Sequence, residues 1–351
     1  MKGIVFLGGR QVEIREFEDP VPGADEVILE IKASGMCGSD LHVYRSPGGG
    51  PAAARALGLG GDGKAVIAGH EPCGIVVARG SEVSEKMAPL GARVMVHHYD
   101  GCRICEACQD GWAQLCKSGF TVFGITGHGS HAPYMRVPVN TLVNLPDQLT
   151  FEEGAAISCG TGTAFGAIKR MNVSNKGIIA VFGQGPVGLS ATMIAVCMGL
   201  SVIAIDVSNE RLKLAKKFGA EKLVNAKEDN VIEVLYQHTR GIGVDYAIEC
   251  SGQPEARLNS VRSTKTWGTV CFVGEGKDVK FDVSPDLLRR QLTLLGSWTF
   301  NKALQFECAR FVSKHSLPIN KLFTHVFKQS EASKAYRVFD TQTTGKGVFL
   351  F

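Results

Sequence analysis

The chain has 351 residues, too many for one ordinary hydrophobic core, so two domains are expected. A composition of 44% hydrophobic and 21% charged residues describes a soluble globular protein, and a formal charge of +4 without a basic run excludes a phosphate-tracking nucleic-acid binder. No apolar run approaches the ~20 residues of a membrane span, and the 11 cysteines point to metal ligands and free thiols in a reducing, cytoplasmic setting.

Met1 to Phe17 alternates like a strand and carries Arg10, Glu13, Arg15 and Glu16, which does not fit a signal peptide. Val27, Leu29 and Ile31 alternate with polar neighbours, and 75–78 and 93–96 are further short apolar runs between turns, an all-β pattern. Gly35 to His42 then gathers four chemistries. Cys37 can bind a cation as a thiolate, Ser39 can pass a proton, Asp40 can brace a ligand from behind, and His42 can exchange protons near neutral pH. Alone, the stretch is only suggestive. Gly69-His70-Glu71-Pro72 and Ser158-Cys159-Gly160 supply further donors, and Cys37, His70 and Cys159 together make a Cys2His set. Three protein ligands leave a fourth tetrahedral position open, as a catalytic zinc requires.

Between those donors, residues 48–63 hold 7 glycines in 16 positions, which predicts a mobile loop, a tolerated surface insertion in preference to a substrate lid. Cys102, Cys105, Cys108 and Cys116 follow at separations of two, two and seven residues, a spacing that closes a tetrahedron around zinc and leaves no room for substrate. His97, His98 and Tyr99 precede that cluster and read equally as core or as pocket residues. His128 and His131, in a glycine-rich stretch, read as turn or surface histidines. Cys73, Cys197, Cys250, Cys271 and Cys308 read as structural thiols.

From Ile178 the pattern changes. An apolar strand over 178–182 runs into Gly183-Gln184-Gly185-Pro186-Val187-Gly188 and an apolar helical stretch ending at Gly199. A second strand over 202–205 ends on Asp206, 18 residues beyond the last glycine of the motif. A lone G-x-G-x-x-G is weak evidence, but between a strand and a helix, with that acid downstream, it is a dinucleotide fingerprint. The glycines let backbone approach a pyrophosphate, and the helix N-terminus faces it with N–H groups. Asp206 would accept from ribose hydroxyls and repel a 2′-phosphate, favouring NAD over NADP, with Arg211 five residues on as a counterweight. Ser208 predicts the N-cap of a helix running to Phe218 and stopped by Gly219. Strands at 244–249, 269–273 and 292–295 continue the alternation, which implies a doubly wound parallel sheet.

Together these motifs resemble the zinc-dependent medium-chain alcohol/polyol dehydrogenase family over essentially the whole chain. The resemblance implies an α/β protein: a GroES-like β barrel catalytic domain with a structural-zinc lobe (1–160), a Rossmann domain (161–297), and a return to the catalytic domain (298–351). It implies two zinc ions per chain, the catalytic one on Cys37, His70 and Cys159 and the structural one on Cys102, Cys105, Cys108 and Cys116. Glu71 resembles the acid beside the catalytic metal, Asp40 the brace, and Ser39 with His42 the proton relay. Thr163 and Val187 resemble nicotinamide contacts, Lys346 a basic residue at the pyrophosphate, and His98 a wall of the substrate pocket. The implied reaction is reversible hydride transfer between NAD and a small alcohol, with a polar secondary alcohol or polyol favoured by His98, in a homodimer or homotetramer. A primary-alcohol dehydrogenase, a non-catalytic NAD-binding redox sensor and a zinc-free quinone or enoyl reductase are the competing readings. The reductase lacks the ligands that Cys37, His70 and Cys159 provide.

Overall fold

The computed structural model describes residues 1–50, 52, 65–276, 278–343 and 345–351; most of the glycine-rich stretch expected to be a mobile loop lies outside the described residues. The chain divides into two compact units. One comprises Met1–Cys159, Asn301–Gln342 and Lys346–Phe351, the other Gly160–Phe300 and Thr343–Gly345.

The first unit is built on a mixed seven-stranded sheet. Its path runs Phe323–Phe327, Lys346–Leu350, Glu26–Gly35, Pro72–Arg79, Arg93–Val96 and Leu142–Asn144, with Tyr134–Pro138 pairing Glu26–Gly35 off that path. Val27, Leu29 and Ile31, the alternating residues of the long central strand, are fully buried against Val76, Val94, Met135 and Val137. Alternation places one face of each strand in this core. A second core joins Ile4, Phe6, Leu41 and Tyr44 to Tyr336, Phe339 and Phe349 near the chain's end. The N-terminus forms a hairpin, Lys2–Gly8 paired antiparallel with Gln11–Glu16, where a single strand was expected. Gly8, Gly9 and Arg10 all take positive φ and turn the chain back.

The second unit is a six-stranded, all-parallel sheet in the order Lys222–Asn225, Ser201–Asp206, Ile178–Phe182, Val244–Glu249, Thr264–Phe272, Thr293–Gly296. The order reverses beside Ile178–Phe182, the doubly wound arrangement whose switch point receives dinucleotides. Central strands such as Ile178–Phe182 are apolar throughout because helices cover both faces of such a sheet. Ser208 caps the helix Asn209–Lys217 by accepting from the Arg211 N–H at 3.4 Å, and Gly219 at φ +97° follows its end. Among the described residues no helix is long and apolar enough to cross a membrane.

Candidate metal centre and cofactor turn

Sheet register gathers the donors of the Cys37 set. Pro72–Arg79 pairs antiparallel with Glu26–Gly35, Pro72 opposite Ser34, so His70 and Glu71 arrive beside Gly35 and Cys37. Gly35 N–H donates to the Glu71 carbonyl at 3.1 Å, and a Cβ at Gly35 would collide with the Glu71 carboxylate. On the other side, Lys346–Leu350 pairs with the same strand and Met36 N–H donates to Gly347 O at 2.9 Å, which brings Lys346 to the same point. Cys37 is the N-cap of the helix Gly38–Arg45, and Asp40 at its third position accepts from the Cys37 N–H at 2.8 Å. Cys159 comes from a π-helical turn, Ile157–Thr161, inserted between the helical segments Phe151–Ala156 and Gly162–Arg170. Such a bulge re-aims side chains within a helix and recurs at functional sites. Ser158 anchors it, its hydroxyl donating to Pro72 O at 2.9 Å or Gly154 O at 3.0 Å.

One ligand atom from each of Cys37, His70, Glu71 and Cys159 lies within 4.8 Å of the others, and all four residues are buried. The two sulfurs stand 3.7 Å apart. That is far beyond a disulfide bond of ~2.0 Å and close to the ~3.8 Å edge of a tetrahedron with ~2.3 Å Zn–S bonds. His70 Nδ1 lies 2.9 Å from Asp40 Oδ1, so Nδ1 carries the proton and Nε2 is left to face a cation. Ser39 Oγ sits 3.1 Å from that Nε2. The Cys37 thiol is held well below the usual cysteine range, first by its hydrogen bond with Cys159 and then, against burial, by His70 and Lys346. Burial disfavours the Lys346 ammonium, but the adjacent Glu71 and Cys37 outweigh it and hold the group above the ordinary lysine value. Cys37, Cys159, His70 and Glu71, the last paired with that ammonium, form a buried donor set suited to a divalent cation. The residues fit zinc.

The second cluster differs in every respect but its sulfurs. Cys102 Sγ is 4.0 Å from Cys108 Sγ, and Cys105 Sγ is 3.9 Å from Cys116 Sγ. Backbone N–H groups of Cys102 and Cys105 point at Cys116 and Cys102 sulfurs at 3.3 Å, as they do around a thiolate-bound ion. Four sulfurs within 4.8 Å of one another close the shell and leave no open position.

In the second unit, Gly183 takes φ +84° and a Cβ on Gly188 would collide with the Gly183 carbonyl, so both positions need glycine. Gly185 is the N-cap of the helix Pro186–Cys197, with Pro186 in its first turn and no side chain capping it. Its free N–H groups suit a pyrophosphate. Asp206 accepts from the Gln184 N–H at 2.5 Å and the Ser208 N–H at 2.8 Å, which fixes its carboxylate at the end of the second strand. Buried Arg211 reaches the same turn, its guanidinium 3.9 Å from where a Gly185 Cβ would stand. Val187 is half-buried at the start of the helix, and Thr163 is buried on Gly162–Arg170. The residues fit a dinucleotide.

Two expectations are corrected. Lys346, expected at the pyrophosphate, is buried at 1% exposure and donates to Glu71 Oε1 at 2.6 Å and Met36 O at 3.0 Å. Its charge is engaged by the carboxylate that strand pairing sets against it. His131, expected at a turn or surface, is fully buried between Ser34 and Tyr336, while His128 is exposed as expected. His98 is buried, its ring centroid 5.1 Å from that of His70, and its Nδ1–H donates to Ser158 O at 3.0 Å. Burial and the neighbouring His70 and His97 keep its imidazole neutral. His42 is exposed, one turn after Ser39 on the same helix. Tyr336, Ser34 and Ser130 carried no sequence signal. Lys346 did, as a charge opening the otherwise apolar strand KGVFL.

This geometry has relatives. An alcohol dehydrogenase GroES-like domain profile matches residues 23–147, and a zinc-binding dehydrogenase profile matches residues 186–314. The chain is 36% identical to the uncharacterized zinc-type alcohol dehydrogenase-like protein YphC of Escherichia coli K12, over 98% of this chain and 97% of that one. It is 30% identical to the sorbitol dehydrogenase of Bacillus subtilis 168, over 90% and 88% of the two. Galactitol-1-phosphate dehydrogenase from Escherichia coli superposes with a TM-score of 0.85 at 26% identity, covering 100% of both chains. The chain belongs to the zinc-dependent medium-chain alcohol/polyol dehydrogenase family. It is an oxidoreductase of the alcohol/polyol dehydrogenase type, on an α/β fold with a GroES-like and a Rossmann-type part.

Proposed function

We propose that this enzyme reversibly oxidises a polar secondary alcohol or a polyol with NAD, using one catalytic and one structural zinc per chain. The observation that carries the reading is the buried Cys37, His70 and Cys159 set with Ser39 Oγ 3.1 Å from His70 Nε2. When bound, zinc supplies a Lewis acid for the alcohol oxygen and NAD the hydride acceptor. The chain's own residues do the rest. Asp40 holds His70 in the tautomer that turns Nε2 to the site. Ser39 accepts the alcohol proton, and exposed His42, three residues along the same helix face, is the route to solvent. Neutral, buried His98 makes the wall more polar than an aliphatic slot, which favours a substrate with more than one hydroxyl. The sorbitol dehydrogenase relative supports the same substrate class. Asp206 favours NAD through the adenosine ribose hydroxyls.

A panel of polyols, simple secondary alcohols and primary alcohols, each with NAD and NADP, tests the reading through reduced-cofactor absorbance. Polyols are expected to exceed primary alcohols in kcat/KM by roughly tenfold or more, about 1.4 kcal/mol of discrimination, and NAD to be preferred. A primary-alcohol optimum would replace the substrate assignment. Absence of turnover with every alcohol would favour the redox sensor.

A further inference from the structure

Behind Asp40 runs a buried chain of polar side chains that the mechanism above does not use. Asp40 Oδ2 accepts from the Tyr336 hydroxyl at 3.3 Å, and Tyr336 Oη is 2.6 Å from His131 Nε2. His131 Nδ1 is 2.7 Å from Ser34 Oγ, which is 2.6 Å from Ser130 Oγ. Ser130 returns to the metal site through its backbone, its N–H donating at 2.8 Å to the carbonyl of Gly69, the residue before His70. Every member is buried, Ser34, Ser130, His131 and Tyr336 completely. Uncompensated polar groups at that depth cost stability, so a fully linked string of them calls for a purpose.

Donor and acceptor inventory fixes the direction of the string. Asp40, as a carboxylate already serving His70 and the Cys37 N–H, only accepts, so Tyr336 donates to it. The Tyr336 oxygen must then accept from His131 Nε2–H. The other nitrogen of a neutral imidazole is left as an acceptor, so Ser34 donates to Nδ1 and in turn accepts from Ser130. In this orientation the one Ser130 hydroxyl hydrogen goes to Ser34, so Ser130 holds the Gly69 carbonyl through its backbone N–H.

We propose that Tyr336 and His131 are positioning residues for the metal ligand His70. Resting on the dehydrogenase reading above, this assigns the Ala332–Asp340 helix a part in zinc retention. The string grips His70 at two points: through Asp40 on its Nδ1 and through Ser130 on the preceding carbonyl. Loss of the Tyr336 hydroxyl frees one oxygen of Asp40 to rotate away, and the imidazole with it. The same ring also packs edge-on against Phe6 with centroids 4.8 Å apart, so the phenol could be core filler with an incidental hydroxyl. Tyr336→Phe separates the two, since it keeps the ring and removes only the oxygen.

The test is the rate at which a chelator strips zinc from the full-length, zinc-loaded enzyme, the catalytic phase being the one missing in Cys37→Ala. Partners of metal-bound histidines are worth ~10–100-fold in metal affinity. Tyr336 acts one bond further out, so roughly fivefold to tenfold faster loss of catalytic zinc is expected, with structural zinc unchanged as the internal reference. Tyr44→Phe, a buried tyrosine 5.5 Å away in the same core, should leave both phases as in wild type. Wild-type release from Tyr336→Phe, equal loosening of both zincs, or the same effect from Tyr44→Phe would each overturn the proposal. A wild-type chain with zinc at the four-cysteine cluster alone would instead overturn the dehydrogenase reading, a distinguishable result.

Discussion

The four-cysteine cluster takes all its donors from one short segment, Cys102 to Cys116, and leaves three of them half-exposed. The Cys37 set takes its donors from three segments, with Cys37 and Cys159 122 positions apart, and buries them all. Both present sulfurs at the spacing of a tetrahedral edge. Closing a short loop costs little chain entropy, so the first cluster depends mainly on its own spacing. The second exists only after strand register, a helix N-terminus and a π-helical turn are in place, and only with Lys346 and Asp40 to manage buried charge. Locality separates the two: the local cluster offers four sulfurs and a closed shell, while the remote set, on the proposed reading, keeps a position open for chemistry.

The strongest way to break this comparison is to remove a donor from the remote set. His70→Ala should lower kcat by at least a thousandfold, about 4 kcal/mol of barrier, while the structural zinc and the affinity for NAD, followed by calorimetry, stay as they were. Substantial turnover in that variant would show that the remote set is not the reaction centre. Removing a donor from the local set should do the reverse. Cys116→Ser is expected to halve the zinc content and lower Tm by roughly 5 °C or more, because metal-binding free energy at a closed site is folding free energy. The kcat of the protein that remains folded should be unchanged. A specific loss of kcat at unaltered Tm would erase the division of labour.

What could be read from the sequence follows the same line. The Cys102 to Cys116 spacing and the Gly183 to Gly188 turn are local codes, in which each residue's role is set by neighbours within one turn or loop. Strands such as 178–182 and 244–249 and the Ser208 cap are legible for the same reason. Cys37, His70 and Cys159 are proposed as one set from their residue types and from the family resemblance, since no local spacing marks their convergence, which is a property of sheet register. The remaining parts carry no local mark. Tyr336 sits in the apolar stripe of an amphipathic helix, where an aromatic reads as core, and nothing near it in sequence indicates Asp40. His131 followed glycines that suggested a surface turn, yet Gly129 and Ser130 pair by backbone with 67–69 and draw it inward. Lys346 was given the wrong partner because its position along the chain says nothing about the Glu71 carboxylate across the sheet.

The smallest expected effect tests the cost of burying polar groups behind the remote set. Burial pulls the His131 imidazole from the ordinary 6.5 to about 4. As pH falls below 6.5, the unfolded chain binds a proton that the folded chain refuses, so this contribution to stability is complete above 6.5 and is lost progressively towards 4. At 1.36 kcal/mol per unit the loss reaches about 3 kcal/mol. His131→Gln lacks the titrating group. Its stability is expected to be lower than wild type at pH 7 but to fall less steeply on acidification, the two curves converging by about 3 kcal/mol near pH 4. Urea denaturation of the metal-free proteins between pH 4 and 8 measures this without protonation of bound thiolates, and groups common to both proteins cancel in the difference. Parallel curves would mean that His131 takes up its proton at the same pH in the folded as in the unfolded chain, as a solvent-reached imidazole does. The remote centre would then sit on a wetter foundation than its buried hydrogen bonds describe, and the contrast with the half-exposed cysteine lobe would narrow to chain separation alone.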